Sequence, residues 1–190
     1  MGHLEVARFL LEHGADVDAK NSQGDTLLQT IHWDGQVEVM RLLLDFGADV
    51  NVRRSSGWKP LHVAAFNVYY EVARMLLQHN ADVNAKGYMD LTQLRYASEK
   101  GHVEVMRLLV EDGASINAQA DCFGTPLQSA SEEGKLEVVR LLLEHGADVH
   151  IPNSWDDTPL QMASGREFGE IVQLLLEYGA KKQYGIEITV

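Results

Sequence analysis

Little in this chain offers the usual handles of chemistry. Its 190 residues hold a single cysteine, Cys122, which cannot close an internal disulfide and fits a reducing compartment. No run of 18 or more apolar residues occurs, so no membrane-spanning helix is expected. The opening MGHLEVARFLLEHGADV carries charges throughout and lacks the apolar core of a secretory signal. Basic side chains are outnumbered, 16 against 28 acidic ones, and a net charge of −12 argues against nucleic acid as the main partner. Adjacent basic pairs are confined to Arg53-Arg54 and Lys181-Lys182. A phosphate-cradling glycine loop, an HExxH helix and paired CxxC motifs are also missing. The expectation is an intracellular, cytoplasmic protein that acts without cofactor or metal and binds neither nucleic acid nor membrane.

What the chain does have is repetition. LLEHGADV stands at Leu10–Val17 and returns letter for letter at Leu142–Val149, 132 residues on, which is four times 33. Gly-Ala-Asp recurs at Gly14, Gly47 and Gly146, with Asn80-Ala81-Asp82, Gly113-Ala114-Ser115 and Gly179-Ala180-Lys181 at the steps between. A second series keeps the same period: Thr26-Leu27-Leu28-Gln29, Lys59-Pro60-Leu61-His62, Thr92-Gln93-Leu94-Arg95, Thr125-Pro126-Leu127-Gln128 and Thr158-Pro159-Leu160-Gln161. Two motifs locked in phase define a repeat of fixed length.

This pattern resembles the ankyrin-repeat family, whose unit is a β-turn followed by two antiparallel helices with a Thr-Pro-Leu-His-x-Ala signature. Lys59-Pro60-Leu61-His62-Val63-Ala64 and Thr125-Pro126-Leu127-Gln128-Ser129-Ala130 match it best. The resemblance implies an all-α solenoid with short β-turn fingers. Threonine can cap the first helix, and proline fits its first turn because that N–H is unpaired anyway. Small pairs such as Ala64-Ala65 let helices approach, and Gly35, Gly101 and Gly134 end the first helix in a left-handed conformation. The second helix carries apolar residues at helical spacing, as in Val138, Leu141 and Leu142, with Arg140 and Glu144 outward. Full repeats are expected at 21–53, 54–86, 87–119, 120–152 and 153–185, after an N-terminal half repeat (1–20) and before a short tail (186–190). Val6, Leu10 and Leu11 then lack a partner helix, which predicts self-association through that end. The series Val17, Val50, Val83, Ile116, Val149 ends in Lys182, which gives the last repeat the character of a cap.

Departures from the pattern carry the functional reading. Ile31 and His32 stand where Ala64 and Ala65 do, Val68 and Glu167 replace the helix-ending glycine, and Gln93 and Arg95 weaken one signature. Val68 and Glu167 predict strained or reshaped turns. In the family, finger tips and the exposed ends of first helices form a concave recognition face. All three tryptophans, Trp33, Trp58 and Trp155, fall in that set, and rigid aromatics suit an interface. The candidate partner-binding residues are Trp33, Trp58, Phe66, Tyr88, Met89, Leu91, Glu132, Glu133 and Trp155. The acidic sector Asp121, Glu132, Glu133, Asp156 and Asp157 implies a protein partner with an apolar anchor flanked by basic residues. The alternatives are an architectural spacer and a regulatory accessory region of a larger signalling protein or enzyme.

Catalytic groups do not converge. His13, His79 and His145 occupy equivalent sites near helix ends, where they suit the dipole, and His62 belongs to the cap motif. Cys122 lacks an evident activating partner. Resemblance to the family also implies that Asn51 and Asn84 fit an asparaginyl hydroxylation context, and Ile188-Thr189-Val190 looks like an apolar C-terminal peptide ligand. Both patterns are weaker than the repeat itself. The chain is expected not to be an enzyme.

Overall fold

One backbone hydrogen bond recurs along the chain and shapes every finger. The N–H groups of Asn21, Arg54, Gly87, Ala120 and Asn153 donate to the carbonyls of Asp25, Trp58, Leu91, Gly124 and Asp157, at 2.9 Å in four cases and 3.2 Å at Ala120. The spacing of these donors is the 33 residues of the sequence period. In this computed structural model the described residues are 2–30, 37–54, 56–120 and 123–181. Ile31, His32, Trp33, Gly35, Asp121, Cys122, Lys182 and the tail, all of which carry sequence expectations, lie outside them.

Thr92, Thr125 and Thr158 cap as expected, whereas the buried Thr26 hydroxyl has no hydrogen-bond partner among the described residues. Thr125 Oγ1 accepts the Gln128 N–H at 3.3 Å, and Gln128 Oε1 accepts the Thr125 N–H at 2.7 Å. Thr158 and Gln161 repeat this box. Each box satisfies two backbone donors that a helix start leaves unpaired. At the other end of the first helices, Gly101 and Gly134 have φ of 81° and 69°, the left-handed region glycine enters without penalty. Val68 and Glu167 hold the same conformation, with φ of 61° and 62°. The turns are therefore strained rather than reshaped, because the following helix must still fold back on the first.

The chain divides into two compact units, Met1–Asp82 and Val83–Val190. The first holds α1 (Gly2–Glu12), α2 (Leu27–Thr30), α3 (Val37–Asp45), α4 (Pro60–Phe66) and α5 (Tyr70–Gln78). Here α4 pairs with α5, and the second helices α1, α3 and α5 pack in sequence. The second unit holds a 3-10 turn (Tyr88–Asp90), α6 (Gln93–Lys100), α7 (Val103–Glu111), α8 (Pro126–Glu132), α9 (Leu136–Glu144), α10 (Pro159–Gly165) and α11 (Gly169–Glu177). Its inner helices α6, α8 and α10 stack in order, each paired with the next helix in the chain, and α7, α9 and α11 form the outer layer.

Burial follows the period. Leu76, Leu109, Leu142 and Leu175 are fully buried at equivalent sites of α5, α7, α9 and α11, and Val72, Val105, Val138 and Ile171 lie beside them at 2% exposure or less. Each fully buried leucine contributes roughly 1.5–3 kcal/mol of transfer free energy. In α1 the equivalent stripe is open: Val6, Phe9 and Leu10 are 59%, 58% and 51% exposed, while Leu11 is half-buried. Val50 and Val149 of the valine series are buried, and Val17, Val83 and Ile116 are half-buried.

Candidate functional site

Side chains from one repeat fix the finger of the next. Gln128, buried on α8, donates its Nε2–H groups to the carbonyls of Ile151 and Asp157 at 3.0 and 2.9 Å. Asn153 Oδ1 accepts the N–H groups of Trp155 and Asp157, both at 2.9 Å. The backbone of this finger is therefore tied from inside and from below, and the Trp155 indole stands on it 68% exposed. Gly165 and Arg166 at the end of α10, Glu132 at the end of α8 and Met162 complete a cavity of about 380 Å³ with Trp155 and Asp157. Arg166 donates to Glu132 Oε1 across it at 2.9 Å.

The other candidate residues divide by unit. In the first, Trp58 meets Phe66 edge to face at 5.4 Å between ring centroids and tilts over His62 at 6.3 Å. Both rings are half-buried and packed against each other within their own repeat. In the second unit, Tyr88 and Met89 are 52% and 50% exposed on the 3-10 turn, where Met89 and Asp90 both have positive φ. Of the acidic candidates, Glu133 and Asp156 are exposed and Glu132 is half-buried.

Leu91 does not belong to this surface. It is 6% exposed, because it directly precedes the cap Thr92 and its carbonyl closes the finger on Gly87. That position turns its side chain under the finger; the tip is at Tyr88 and Met89. The same geometry explains why Trp58, one repeat earlier, is only half exposed.

Arg95 fills the place of Gln128 one repeat earlier and performs the same task with another group. Its guanidinium donates from Nε to the Phe123 carbonyl at 3.4 Å, lies 5.3 Å from the Phe123 ring centroid and pairs with Glu99 at 3.0 Å. Burial pushes the Glu99 carboxyl up, but hydrogen bonds from Lys100 and Arg95 outweigh it and hold the group below the usual carboxylate range. The weak signature at Gln93 and Arg95 is thus a substituted clip, not a lost one.

The histidines and asparagines serve the scaffold. His13 and His145 donate Nδ1–H to the carbonyls of Phe9 and Leu141 at 2.7 and 2.8 Å, near the carbonyl ends of their helices. His62 is fully buried and accepts the Lys59 N–H at 3.2 Å. Asn51 and Asn84 each staple two repeats, accepting from Asp82 and Ser115 and donating to Asn80 and Gly113. Among the described residues no three His, Cys, Asp or Glu side chains are grouped to hold a metal ion, and no helix is long and apolar enough to cross a membrane.

Fingers held at a fixed period on paired helices define a helical-repeat protein whose exposed finger residues vary while its staples recur. The family model described as ankyrin repeats (3 copies) matches residues 1–87 and 94–185, and the chain belongs to the ankyrin-repeat family. The unmatched stretch between them covers the strained finger of Tyr88 and Met89. No curated protein is significantly similar to the chain. Ankyrin repeats are in general protein–protein interaction modules rather than catalysts.

Proposed function

We propose that this chain recognises a protein partner through its fingers and the adjoining ends of its inner helices. The observation that carries the reading is Trp155: an indole 68% exposed on a finger whose backbone is fixed by Asn153 and Gln128. A rigid indole held out on a fixed finger is the kind of side chain that serves as an interface anchor. The Trp58–Phe66 pair and the Tyr88–Met89 tip supply further anchors, and Glu132, Glu133 and Asp156 suit a partner with basic flanks. Because the fingers are already ordered, little conformational entropy is lost on association. An intracellular, cytoplasmic setting is consistent with the single cysteine.

The double substitution Trp58→Ala with Phe66→Ala tests the reading. It is expected to reduce partner capture about tenfold or more, the effect of losing one interface anchor, while shifting the thermal midpoint only slightly. A large fall in stability with unchanged capture returns the two rings to a structural role. We also propose that the open stripe of α1 pairs with the same stripe of a second copy, an isologous contact in which identical apolar faces cover one another.

A further inference from the structure

We infer that the cavity beneath Trp155 is a subsite for an arginine side chain of the partner. The inference deepens the recognition reading and rests on it. Three features of the cavity converge. Trp155 offers an open indole face, the best aromatic surface for a cation. Glu132 and Asp157 are acidic residues among those that line it. The third feature is Arg166, whose guanidinium lies on Glu132 at 2.9 Å, so one of the lining carboxylates is placed where a guanidinium can reach it. An ion pair between side chains 58% and 38% exposed is weak, and an incoming guanidinium displaces it at little cost. Arginine suits this geometry better than lysine, because its plane stacks on the indole while its fork reaches a carboxylate.

Gly165 explains why the cavity is open here. At the equivalent places of the preceding repeats stand Glu132, Glu99 and Phe66. Gly165 lies in helix α10, has no positive φ, and a Cβ added to it meets no atom within 4 Å. The backbone therefore does not require glycine. What its absent side chain provides is room beside Trp155. A larger groove of about 670 Å³ runs between α9 and α11, but no aromatic side chain lines it.

The test is nuclear magnetic resonance titration of the full chain with the blocked tripeptide acetyl-Gly-Arg-Gly-amide, following the Trp155 indole N–H, assigned with Trp155→Phe. One side chain is expected to bind with a dissociation constant on the order of millimolar, giving saturable shifts at Trp155 and Gly165. The citrulline version, which keeps the shape and removes the charge, should bind roughly tenfold more weakly. Gly165→Phe should abolish the shifts with the fold intact, and Arg166→Ala should leave binding unchanged or tighter. Equal binding of the citrulline peptide, shifts that survive Gly165→Phe, or binding lost in Arg166→Ala would each overturn the assignment. A partner lost with Trp58→Ala/Phe66→Ala but indifferent to Gly165→Phe overturns the arginine subsite alone and leaves the recognition reading standing.

Discussion

Val68 shows how a single residue can keep a fold and store strain in it. A β-branched side chain in the left-handed region costs about 1–2 kcal/mol, and Val68 is 53% exposed, so packing returns little of that. Val68→Gly is expected to stabilise the chain by about 0.5–1 kcal/mol, after allowing for the larger entropy of unfolded glycine. Denaturant titration checks this, and a lower midpoint for the glycine variant would contradict it. Glu99 carries a pH signature at the same scale. Its folded carboxyl binds a proton less tightly than the unfolded one, so it contributes stability above the unfolded pKa and loses it as pH falls through the lower folded value. The stability difference between wild type and Glu99→Gln should be largest at neutral pH and shrink as the pH falls below the ordinary carboxylate range. A pH-independent difference would show that Arg95 and Lys100 are not stabilising the charged form.

Among the elements, α1 is the exception to the period. Its stripe of Val6, Phe9 and Leu10 is open, whereas Leu142 and Val138 at the same places in α9 are buried under α8. In the proposed pairing, two such stripes related by a two-fold axis cover each other. Sedimentation equilibrium should therefore detect a dimer at high concentration, and Leu10→Glu should return the chain to a monomer. A wild type that is strictly monomeric under those conditions contradicts the pairing. Helices and fingers were largely legible in the sequence, since the Thr-Pro-Leu-Gln boxes and helix-ending glycines act locally and within one turn. Leu91 was not legible in the same way. Tyr88, Met89 and Leu91 are three apolar letters on one finger, and it is the closing hydrogen bond from Gly87 to the Leu91 carbonyl that separates the exposed tip from the buried Leu91. Arg95 read as a broken motif because its letter differs, although a guanidinium can donate across a repeat boundary as an amide does.

Across the whole molecule, the asparagines that bridge repeats recur while the finger positions vary. Asn51, Asn84 and Asn117 recur at the period and each accepts a backbone N–H of the next repeat, from Asp82, Ser115 and Asp148, while the described finger positions Gln23, Ser56, Met89 and Trp155 differ at one equivalent place. Such a scaffold changes its ligand without changing its core. In the proposed recognition, a net charge of −12 steers a partner with basic flanks toward the chain and the aromatic anchors hold it. The cavity at Gly165 was invisible in the sequence, because it arises from an absent side chain set against Phe66, Glu99 and Glu132 in its neighbours. Hydrogen exchange of the chain with and without its captured partner tests the central claim most directly. The account predicts added protection in residues 86–91 and 153–166, at the fingers and inner-helix ends, with α7, α9 and α11 unchanged. Protection confined to those outer helices would contradict it.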